Sequence, residues 1–319
     1  MPTVLLVRHG RTAANAAGVL AGWTPGISLD DTGRAQAGAL AQRMAVLPIS
    51  LAVSSPLQRC QETAGVLLAE PGPIPRPELL TDDRLGECRY GDWTGKSLKD
   101  LVKEPLWRVV QSHPSAAVFP GTEGEAMLTM QHRAVSAIRE YDARVAAEHG
   151  DDALWVAFSH GDVIKAILAD ALGMHLDAFQ RLVVDPCSVS VVRYTPLRPF
   201  AVRVNDAGND LAALLPPAPA KKGRARRPVS SDAQVGGGSG STASAAPTRA
   251  STGAKPAKRA TKAPVQTAAP APRPAAAKAS KAPTRAPVKR AAKAPVKAAA
   301  RRPAKATSTG GSASGPGTT

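Results

Sequence analysis

The sequence predicts an α/β fold, a mostly parallel sheet with helices on both faces, followed by a disordered basic C-terminal tail. Short continuous apolar runs, typical of strands buried on both faces, alternate with helical patterns through the first 200 residues. Beyond Phe200 the chain contains no Trp, Tyr or Phe. Such a segment buries too little apolar surface to offset its ordering entropy. We therefore expect a folded domain over residues 1–210 and a disordered Ala/Pro/Lys-rich basic tail over residues 211–319.

Five predicted strands share one signal, a short run of apolar residues bounded by polar or turn residues. In chain order they occupy residues 4–7, 51–53, 154–158, 189–194 and 200–204. The first three alternate with helical patterns, so we expect them to be parallel. The last two follow each other directly and are expected to close the sheet, in the manner of a hairpin.

Four predicted helices lie between these strands, and each has its own boundary signals. In chain order they carry residues 35–44, 57–68, 123–148 and 162–172. Asp30 and Asp31 offer capping oxygens to the first helix, and Pro56 stands at the start of the second. Gly150 and Gly173 end the last two.

The net charge of +16 is unevenly distributed along the 319 residues. Residues 1–220 carry 20 basic and 24 acidic side chains, a net charge of −4. Residues 221–319 carry 21 basic side chains and a single acidic one, Asp232, a net charge of +20. The alkaline character therefore belongs to the tail and not to the predicted domain.

The cysteine count and the lengths of the apolar runs indicate the cellular environment. The three cysteines, an odd number without a CxxC pair, argue against a disulfide framework or a zinc ribbon. No run approaches the roughly 18 apolar residues of a membrane span, and the apolar run before Arg8 is too short for a signal peptide. We expect a cytoplasmic protein without membrane association.

Two histidines follow predicted strands. Arg8, His9 and Gly10 come directly after the first strand, and His160 and Gly161 follow the strand at residues 154–158. In open α/β sheets ligands bind at the carboxyl ends of the strands. Two histidines so placed on neighbouring strands would face each other across one pocket. The alternatives are a solvent-facing pair at the first strand and a core histidine at the second.

Arg59 lies in the first turn of the helix that begins near Pro56. The free N–H groups and the positive dipole end of a helix favour an anion there, whereas an arginine opposes the dipole. A bound anion shared between Arg59 and the helix terminus would explain the placement. The alternative is an exposed Arg59 paired with Glu62.

A glycine-punctuated loop over residues 85–95 contains one carboxylate, Glu87. Loops beside a pocket commonly carry catalytic groups, so Glu87 is a candidate acid or base. The alternative is a turn with surface charges.

Together these motifs resemble those of the histidine phosphatase superfamily, the phosphoglycerate-mutase-like fold. The resemblance covers roughly residues 3–204 and four motifs in the family's order. They are RHG at residues 8–10 with Thr12 and Asn15, SPLQRCQET at 55–63, LGECRYGDWTG at 85–95, and His160 with Gly161. Pro120-Gly121-Thr122 departs from the PGGES of many members, so this stretch is not assigned to the site.

The resemblance implies a role for each motif. His9 would be the nucleophile that forms a phosphohistidine, while Arg8, Arg59 and His160 would bind the phosphoryl oxygens. Glu87 would protonate the leaving oxygen and then deprotonate water. Asn15 and Gly161 complete the expected substrate-binding set. Neither a metal nor another cofactor is expected.

Two activities remain open for a small phosphorylated metabolite. A phosphatase is favoured because only 27 residues, Lys96 to Thr122, fill the interval in which glycolytic mutases carry a longer insertion. The intermediate would then be more open to water. A phosphomutase of the phosphoglycerate mutase type is the alternative. Trp23 and Trp107 are candidates for the pocket mouth, although core packing is the commoner role for each.

The tail suggests a third function or none. A Lys/Ala/Pro-rich segment of charge +20 resembles the tails of linker histones and would bind nucleic acid without sequence specificity and in a salt-dependent manner. It carries no aromatic ring to stack on bases. A solubilising appendage without a partner is the equal alternative, and the oligomeric state is not predicted.

Overall fold

The structure, a computed structural model, describes residues 1–208, 232–233 and 235–238. The strands are β1 Thr3–Arg8, β2 Ile49–Ser54, β3 Leu79–Thr81, β4 Leu154–Ser159, β5 Val189–Arg193 and β6 Phe200–Asp206. The helices are α1 Ala13–Ala17, α2 Asp31–Met44, α3 Gln58–Ala69, α4 Leu98–Leu101, α5 Pro105–Ser112, α6 Met127–His149 and α7 Gly161–Ala171.

The strands form one six-stranded sheet in the order β3-β2-β4-β1-β5-β6. The pairs β3–β2, β2–β4 and β4–β1 are parallel, and β1–β5 and β5–β6 are antiparallel. This confirms the mostly parallel sheet and the closing hairpin. In the β1–β4 pair Arg8 lies opposite Ser159, so His9 and His160 leave adjacent strands at the same level.

Both faces of the sheet are covered, as predicted. Val4 and Leu6 of β1 belong to one buried cluster, while the alternating Leu5 and Val7 belong to the other. Helices α6 and α7 contribute to the first cluster, and α2 and α3 to the second. Each fully buried aliphatic side chain contributes about 1.5–3 kcal/mol of hydrophobic stabilisation.

The structure differs from the predicted elements at the start of α6 and in four elements that were not predicted, α1, β3, α4 and α5. Helix α6 starts at Met127 rather than at residue 123, because Gly124 and Ala126 form isolated β-bridges with Tyr90 and Val118. The short elements α1 and β3 were not predicted, since five and three residues give too little periodicity. Helix α1 is set by a capping box between Thr12 and Asn15.

The tail lies largely outside the described residues. The exceptions are residues 232–233 and 235–238, which lie against the domain and include Val235, only 1% exposed. Among the described residues, no helix has the length and apolar character needed to cross a membrane.

Candidate active site

His9 is buried at the carboxyl end of β1, and one of its ring nitrogens is hydrogen-bonded to the backbone. Its Nδ1 lies 2.7 Å from the carbonyl oxygen of Gly10. Because a carbonyl oxygen only accepts, Nδ1 must carry the hydrogen, which leaves the lone pair on Nε2. Burial and the charges of Arg59 and Arg8 hold the pKa of His9 well below its usual range. The imidazole is therefore neutral, and its Nε2 carries the lone pair.

His160 faces His9, as the two strand ends predicted. The ring centroids lie 5.2 Å apart. The Oγ of Ser55 lies 2.8 Å from His160 Nε2 and fixes the orientation of the ring. Burial, followed by the charge of Arg59, lowers the pKa of His160 well below its usual value. His160 is thus a fully buried, hydrogen-bonded histidine beside His9, and its predicted contact with the phosphoryl group stays a prediction.

Arg59 stands in the first turn of α3, with its guanidinium buried at the site. Its Nε lies 3.3 Å from His9 Nε2, and its Nη2 donates to the carbonyl oxygen of Gly22 at 2.8 Å. Its Nη1 is buried and has no hydrogen-bond partner among the described residues. A buried donor without an acceptor is costly, so this position is suited to a bound anion.

Glu62, the alternative partner of Arg59, has other contacts. Its Oε2 accepts from the backbone N–H of Leu29 at 2.8 Å, and its Oε1 accepts from Gln58 at 2.7 Å. Arg59 is also only 2% exposed. The exposed Arg59–Glu62 pair is therefore wrong.

Glu87 is a buried carboxyl group whose protonated form is favoured by its surroundings. Burial and the negative charge of Asp162 raise its pKa to about 7. One oxygen accepts from the backbone N–H of Cys88 at 2.9 Å, and the other lies 3.9 Å from His160 Nδ1. A carboxyl group that titrates near neutrality can act as an acid and as a base in one cycle.

Arg133 of α6 holds the loop that carries Glu87, a role that no sequence motif indicated. It donates to the carbonyl oxygens of Arg84, Gly86 and Glu87 at 2.7, 2.8 and 3.0 Å. Its charge is balanced by Glu125 at 2.6 Å. Because Arg133 occurs within a long helical pattern, nothing in the sequence distinguished it from a surface arginine.

The indoles of Trp23 and Trp107 have different roles. Trp23 donates from Nε1 to the carbonyl oxygen of Glu87 at 2.5 Å and lies under the guanidinium of Arg89. Trp107 is buried, stacks on Trp93 and donates to Asp232 at 3.0 Å. Trp23 therefore supports the loop that carries Glu87, and Trp107 combines core packing with a contact to the tail.

Cys60 is a second potential nucleophile beside the histidines. Its Sγ lies 3.4 Å from His160 Nε2. Burial raises the pKa of the thiol to about 12, so Cys60 remains protonated near neutral pH. The reactive thiolate is not formed, so Cys60 is not suited to act as a nucleophile.

Arg8 is fully buried behind His9, and its guanidinium contacts three carbonyl oxygens. Its Nη1 donates to Val184 at 2.8 Å and to Gly237, and its Nη2 donates to Gly238 at 2.5 Å. Gly161, also predicted to bind substrate, packs against Gly237: a Cβ at position 161 would lie 2.8 Å from Gly237 Cα. The segment from the tail thus lies on two predicted ligands of the phosphoryl group.

Asn15 lines the cleft but uses its carbonyl oxygen locally. Its Oδ1 accepts from the backbone N–H of Thr12 at 3.1 Å and from the hydroxyl of Thr12 at 2.9 Å. These bonds cap α1 and fix the side chain beside His9 in the cleft wall. The predicted contact of Asn15 with phosphate stays a prediction.

The cleft encloses about 380 Å³, part of it open to solvent, and its wall divides into a polar and an apolar set. The polar lining residues are His9, Thr12, Asn15, Arg59, Glu87 and Tyr90. The apolar lining residues are Val19, Leu20, Ala21, Leu98 and Val235. Within residues 1–208 and the described part of the tail, no group of His, Cys, Asp and Glu side chains has the arrangement of a metal site.

This arrangement fits the transfer of a phosphoryl group. A neutral histidine carries a lone pair on Nε2, the buried arginine beside it has one nitrogen, Nη1, without an acceptor among the described residues, and a carboxyl group that titrates near neutrality lines the same cleft. His9, Arg59 and Glu87 line one cleft, so groups suited to act as a nucleophile, an anion ligand and a proton donor are brought together.

The chain matches known proteins over the same region. The probable phosphoglycerate mutase GpmB of Yersinia pestis is 32% identical over 197 residues, 61% of this chain and 86% of the relative. Phosphoserine phosphatase from Entamoeba histolytica, solved with 3-phosphoglyceric acid, has a TM-score of 0.56 at 21% identity. That match covers 65% of this chain and 98% of the solved structure.

A further structural match has a similar extent. Mycobacterial glucosyl-3-phosphoglycerate phosphatase, solved with VO3, has a TM-score of 0.55 at 24% identity and covers 64% of this chain and 98% of its own. At these identities the structural likeness shows a shared fold. The model of the histidine phosphatase superfamily (branch 1) matches residues 4–207 and includes all four motifs. The chain belongs to the histidine phosphatase superfamily.

Proposed function

We propose that this chain is a phosphatase that hydrolyses a small phosphomonoester through a phosphohistidine on His9. One observation carries the proposal: His9 is held neutral with Nε2 3.3 Å from Arg59 Nε, and Nη1 of the same guanidinium is buried without a hydrogen-bond partner among the described residues. A nucleophilic nitrogen next to an unsatisfied anion ligand suits attack on a phosphoryl group.

In the first step Nε2 of His9 attacks phosphorus and the bond from phosphorus to the ester oxygen breaks. Glu87, protonated because its pKa is raised to about 7, gives its proton to that oxygen, so the alcohol leaves neutral. Arg8, Arg59 and His160 bind the phosphoryl oxygens and stabilise the charge spread across them, and Asn15 and Gly161 complete the binding set.

In the second step water attacks the phosphohistidine and the bond from Nε2 to phosphorus breaks. Glu87, now a carboxylate, takes a proton from the water, and inorganic phosphate is released. His9 returns to its neutral form and Glu87 to its protonated form. A carboxyl pKa near neutrality serves both half-reactions, because neither protonation state is strongly disfavoured.

The wall of the cleft favours a substrate with an uncharged body. Among the described residues that line it, Arg59 is the only one with a permanent positive charge, and the proposal assigns that charge to the phosphoryl group. A phosphoglycerate carries a carboxylate in addition to its phosphate and needs a second cationic group. The apolar lining by Val19, Leu20 and Leu98 suits a neutral body better, which supports a phosphatase over a phosphomutase.

The proposal is tested with a panel of phosphomonoesters on the full chain. Neutral-bodied esters such as sugar phosphates should release inorganic phosphate with a higher kcat/KM than 3-phosphoglycerate. The phosphomutase alternative is tested with 3-phosphoglycerate in the presence and absence of 2,3-bisphosphoglycerate. Efficient interconversion of phosphoglycerates, without net release of phosphate, would replace the phosphatase by the mutase.

The compartment and the tail are separate parts of the proposal. Cys60, Cys88 and Cys187 are free and buried, which suits a reducing cytoplasm.

The charge of +20 in residues 221–319 supports non-specific association with nucleic acid. Retention of the full chain on DNA should fall steeply between low and high salt, and a chain ending after residue 240 should be retained less. Equal retention of both chains would leave the tail as a solubilising appendage.

A further inference from the structure

We infer that residues 232–233 and 235–238, here named the strap, are an intrasteric inhibitor that occupies the phosphoryl-binding site and must leave before substrate binds. The inference rests on the proposed function, because it assigns Arg8 and the neighbouring cleft to the phosphoryl group. The strap lies beyond residues 4–207, the span that the family model matches.

The first support is what the strap offers to Arg8. The carbonyl oxygens of Gly237 and Gly238 accept from the two terminal nitrogens of its guanidinium. An arginine fork binds a phosphoryl group through the same pair of donors. The two carbonyl oxygens therefore stand where phosphoryl oxygens would be bound, and strap and substrate compete for one ligand.

The second support is an anchor at the base of the cleft. The backbone N–H of Gly236 donates to Oδ2 of Asp162 at 2.8 Å, and the hydroxyl of Tyr90 donates to the same oxygen at 2.9 Å. Asp162 is fully buried, and Val235 beside this anchor is 1% exposed. A buried carboxylate needs donors, and the strap supplies one of them.

The third support is a polar anchor at the outer end of the strap. The side-chain amide of Gln111 makes two hydrogen bonds with the backbone of Ala233, donating to its carbonyl oxygen and accepting from its N–H, each at 2.8 Å. Trp107 donates to the Asp232 carboxylate at 3.0 Å. Both partners lie on α5, so the strap spans from this helix to Arg8.

The fourth support is that the docked conformation requires the glycines found there. Gly236, Gly237 and Gly238 have φ angles of 73°, 75° and 54°, in the left-handed region that other residues rarely adopt. A Cβ on Gly237 would lie 3.0 Å from Arg8 Cζ and 3.0 Å from Gly161 Cα. The glycine run therefore fits a tight backbone approach to Arg8.

The competition has a defined thermodynamic consequence. A ligand that binds only the undocked form has its apparent affinity reduced by the undocked fraction. Weakening the strap should therefore tighten the binding of any phosphoryl mimic without a new contact to that mimic. A strap that merely completed the fold would have the opposite effect, because its loss would damage the site.

The test measures the binding of orthovanadate to full-length variants by calorimetry. Gly237→Ala strains the backbone beside Arg8, and Val235→Ser removes the apolar anchor. Gly253→Ala and Val265→Ser make the same chemical changes elsewhere in the tail and serve as matched controls. Both strap variants should bind orthovanadate about tenfold more tightly than the parent chain, and the controls should match the parent. Arg59→Ala should lose binding, which would show that vanadate occupies the cleft.

Amide hydrogen exchange gives a second readout that needs no variant. In the parent chain saturating orthovanadate should increase the exchange rate at Gly236 to Gly238, because the N–H of Gly236 loses Asp162 as its acceptor. Unchanged or weaker vanadate affinity in both strap variants, or strap protection that persists at saturation, would overturn the inference.

Hydrolysis of p-nitrophenyl phosphate, measured on the same proteins, separates the two proposals. If the parent chain hydrolyses the ester and the strap variants bind vanadate with the affinity of the parent, the inference about the strap is overturned. The phosphatase proposal is then supported. If the strap variants gain vanadate affinity but neither they nor the parent chain hydrolyse the ester, the phosphatase proposal is overturned. The inference about the strap is then supported.

Discussion

Nδ1 of His9 lies 2.7 Å from the carbonyl oxygen of Gly10. This contact determines which nitrogen can react, since a hydrogen on Nδ1 leaves the lone pair of Nε2 directed at the cleft. The same residue that ends the RHG motif thus orients its histidine. The pKa of His9 is also held well below its usual range, so this tautomer persists in mildly acidic solution.

The pH dependence of kcat/KM should follow the two groups that act in the first step. His9 must be neutral and Glu87 protonated. Because the pKa of His9 is lowered and that of Glu87 is raised to about 7, activity should persist below pH 6 and fall as the pH rises through 7. Initial rates across pH 4.5–9 test this profile. A rise in kcat/KM from pH 7 to 9 would contradict the assignment of Glu87 as the acid.

Glu87→Gln should lower kcat by about 10²- to 10⁴-fold for esters with a poor leaving group. The loss in phosphorylation of His9 should be smaller with p-nitrophenyl phosphate, whose leaving oxygen needs no proton. Glu62→Gln, which changes a half-buried carboxylate that does not line the cleft, is the control and should retain activity. Equal losses for both kinds of ester would argue against proton donation by Glu87.

Glu87 should also make stability depend on pH. In the folded chain its pKa rises from 4.5 to about 7, so the folded state binds more protons than the unfolded state between these values. The free energy of unfolding contributed by this group therefore falls as the pH rises through that window, by about 3 kcal/mol in total. Denaturant unfolding at pH 4.5 and pH 8 should show Glu87→Gln gaining stability relative to the parent at the higher pH. A difference in free energy of unfolding between Glu87→Gln and the parent that does not vary with pH would contradict the raised pKa of Glu87.

Ser55 acts as a positioning residue for His160. Its Oγ lies 2.8 Å from Nε2 of His160 and also accepts from the backbone N–H of Leu57 at 3.2 Å. Ser55→Ala should lower kcat about tenfold with a small effect on KM, and Ser55→Thr should restore part of it. Ser50→Ala removes a hydroxyl that donates only to Leu154 and should leave kcat unchanged. A loss confined to thermal stability would reduce Ser55 to a structural role.

Arg133 should stabilise both the fold and the position of Glu87. Arg133→Met removes three carbonyl contacts and leaves Glu125 without its partner, so unfolding should cost about 2 kcal/mol less. Activity should fall as well, because the loop that carries Glu87 loses its support. Arg144→Met, which breaks an exposed pair with Glu148, should change stability by at most about 0.5 kcal/mol. Equal effects of the two variants would contradict the role of Arg133.

Much of the fold was predictable because its signals are local. The apolar run of β1 and the caps of α2 mark these elements in the sequence, and the parallel pairing of β1, β2 and β4 follows from the alternation of strands and helices. His9 and His160 were placed together because parallel strands end at one edge. The exposed Arg59–Glu62 pair was excluded only by the structure, since ion-pair geometry is not encoded in the spacing of the two residues.

The parts of the fold and of the site that the sequence did not predict depend on contacts between residues distant in sequence. Arg133 reaches the loop of Glu87 from 46 positions away, and Gly237 reaches Arg8 from 229 positions away. A glycine run beside basic low-complexity sequence predicts a flexible linker, and nothing local reveals that its backbone fits an arginine fork. The contact between the strap and Arg8 could therefore not be predicted from the sequence.

The most direct test of the account is the identity of the covalent intermediate. The full chain is mixed with radiolabelled phosphomonoester, quenched with alkali within milliseconds and digested, and the labelled peptide is identified by mass spectrometry. We predict a phosphate that is stable in alkali and labile in acid, located on His9 and missing from His9→Ala. Phosphate on another residue, or turnover by His9→Ala at the rate of the parent chain, would contradict the account.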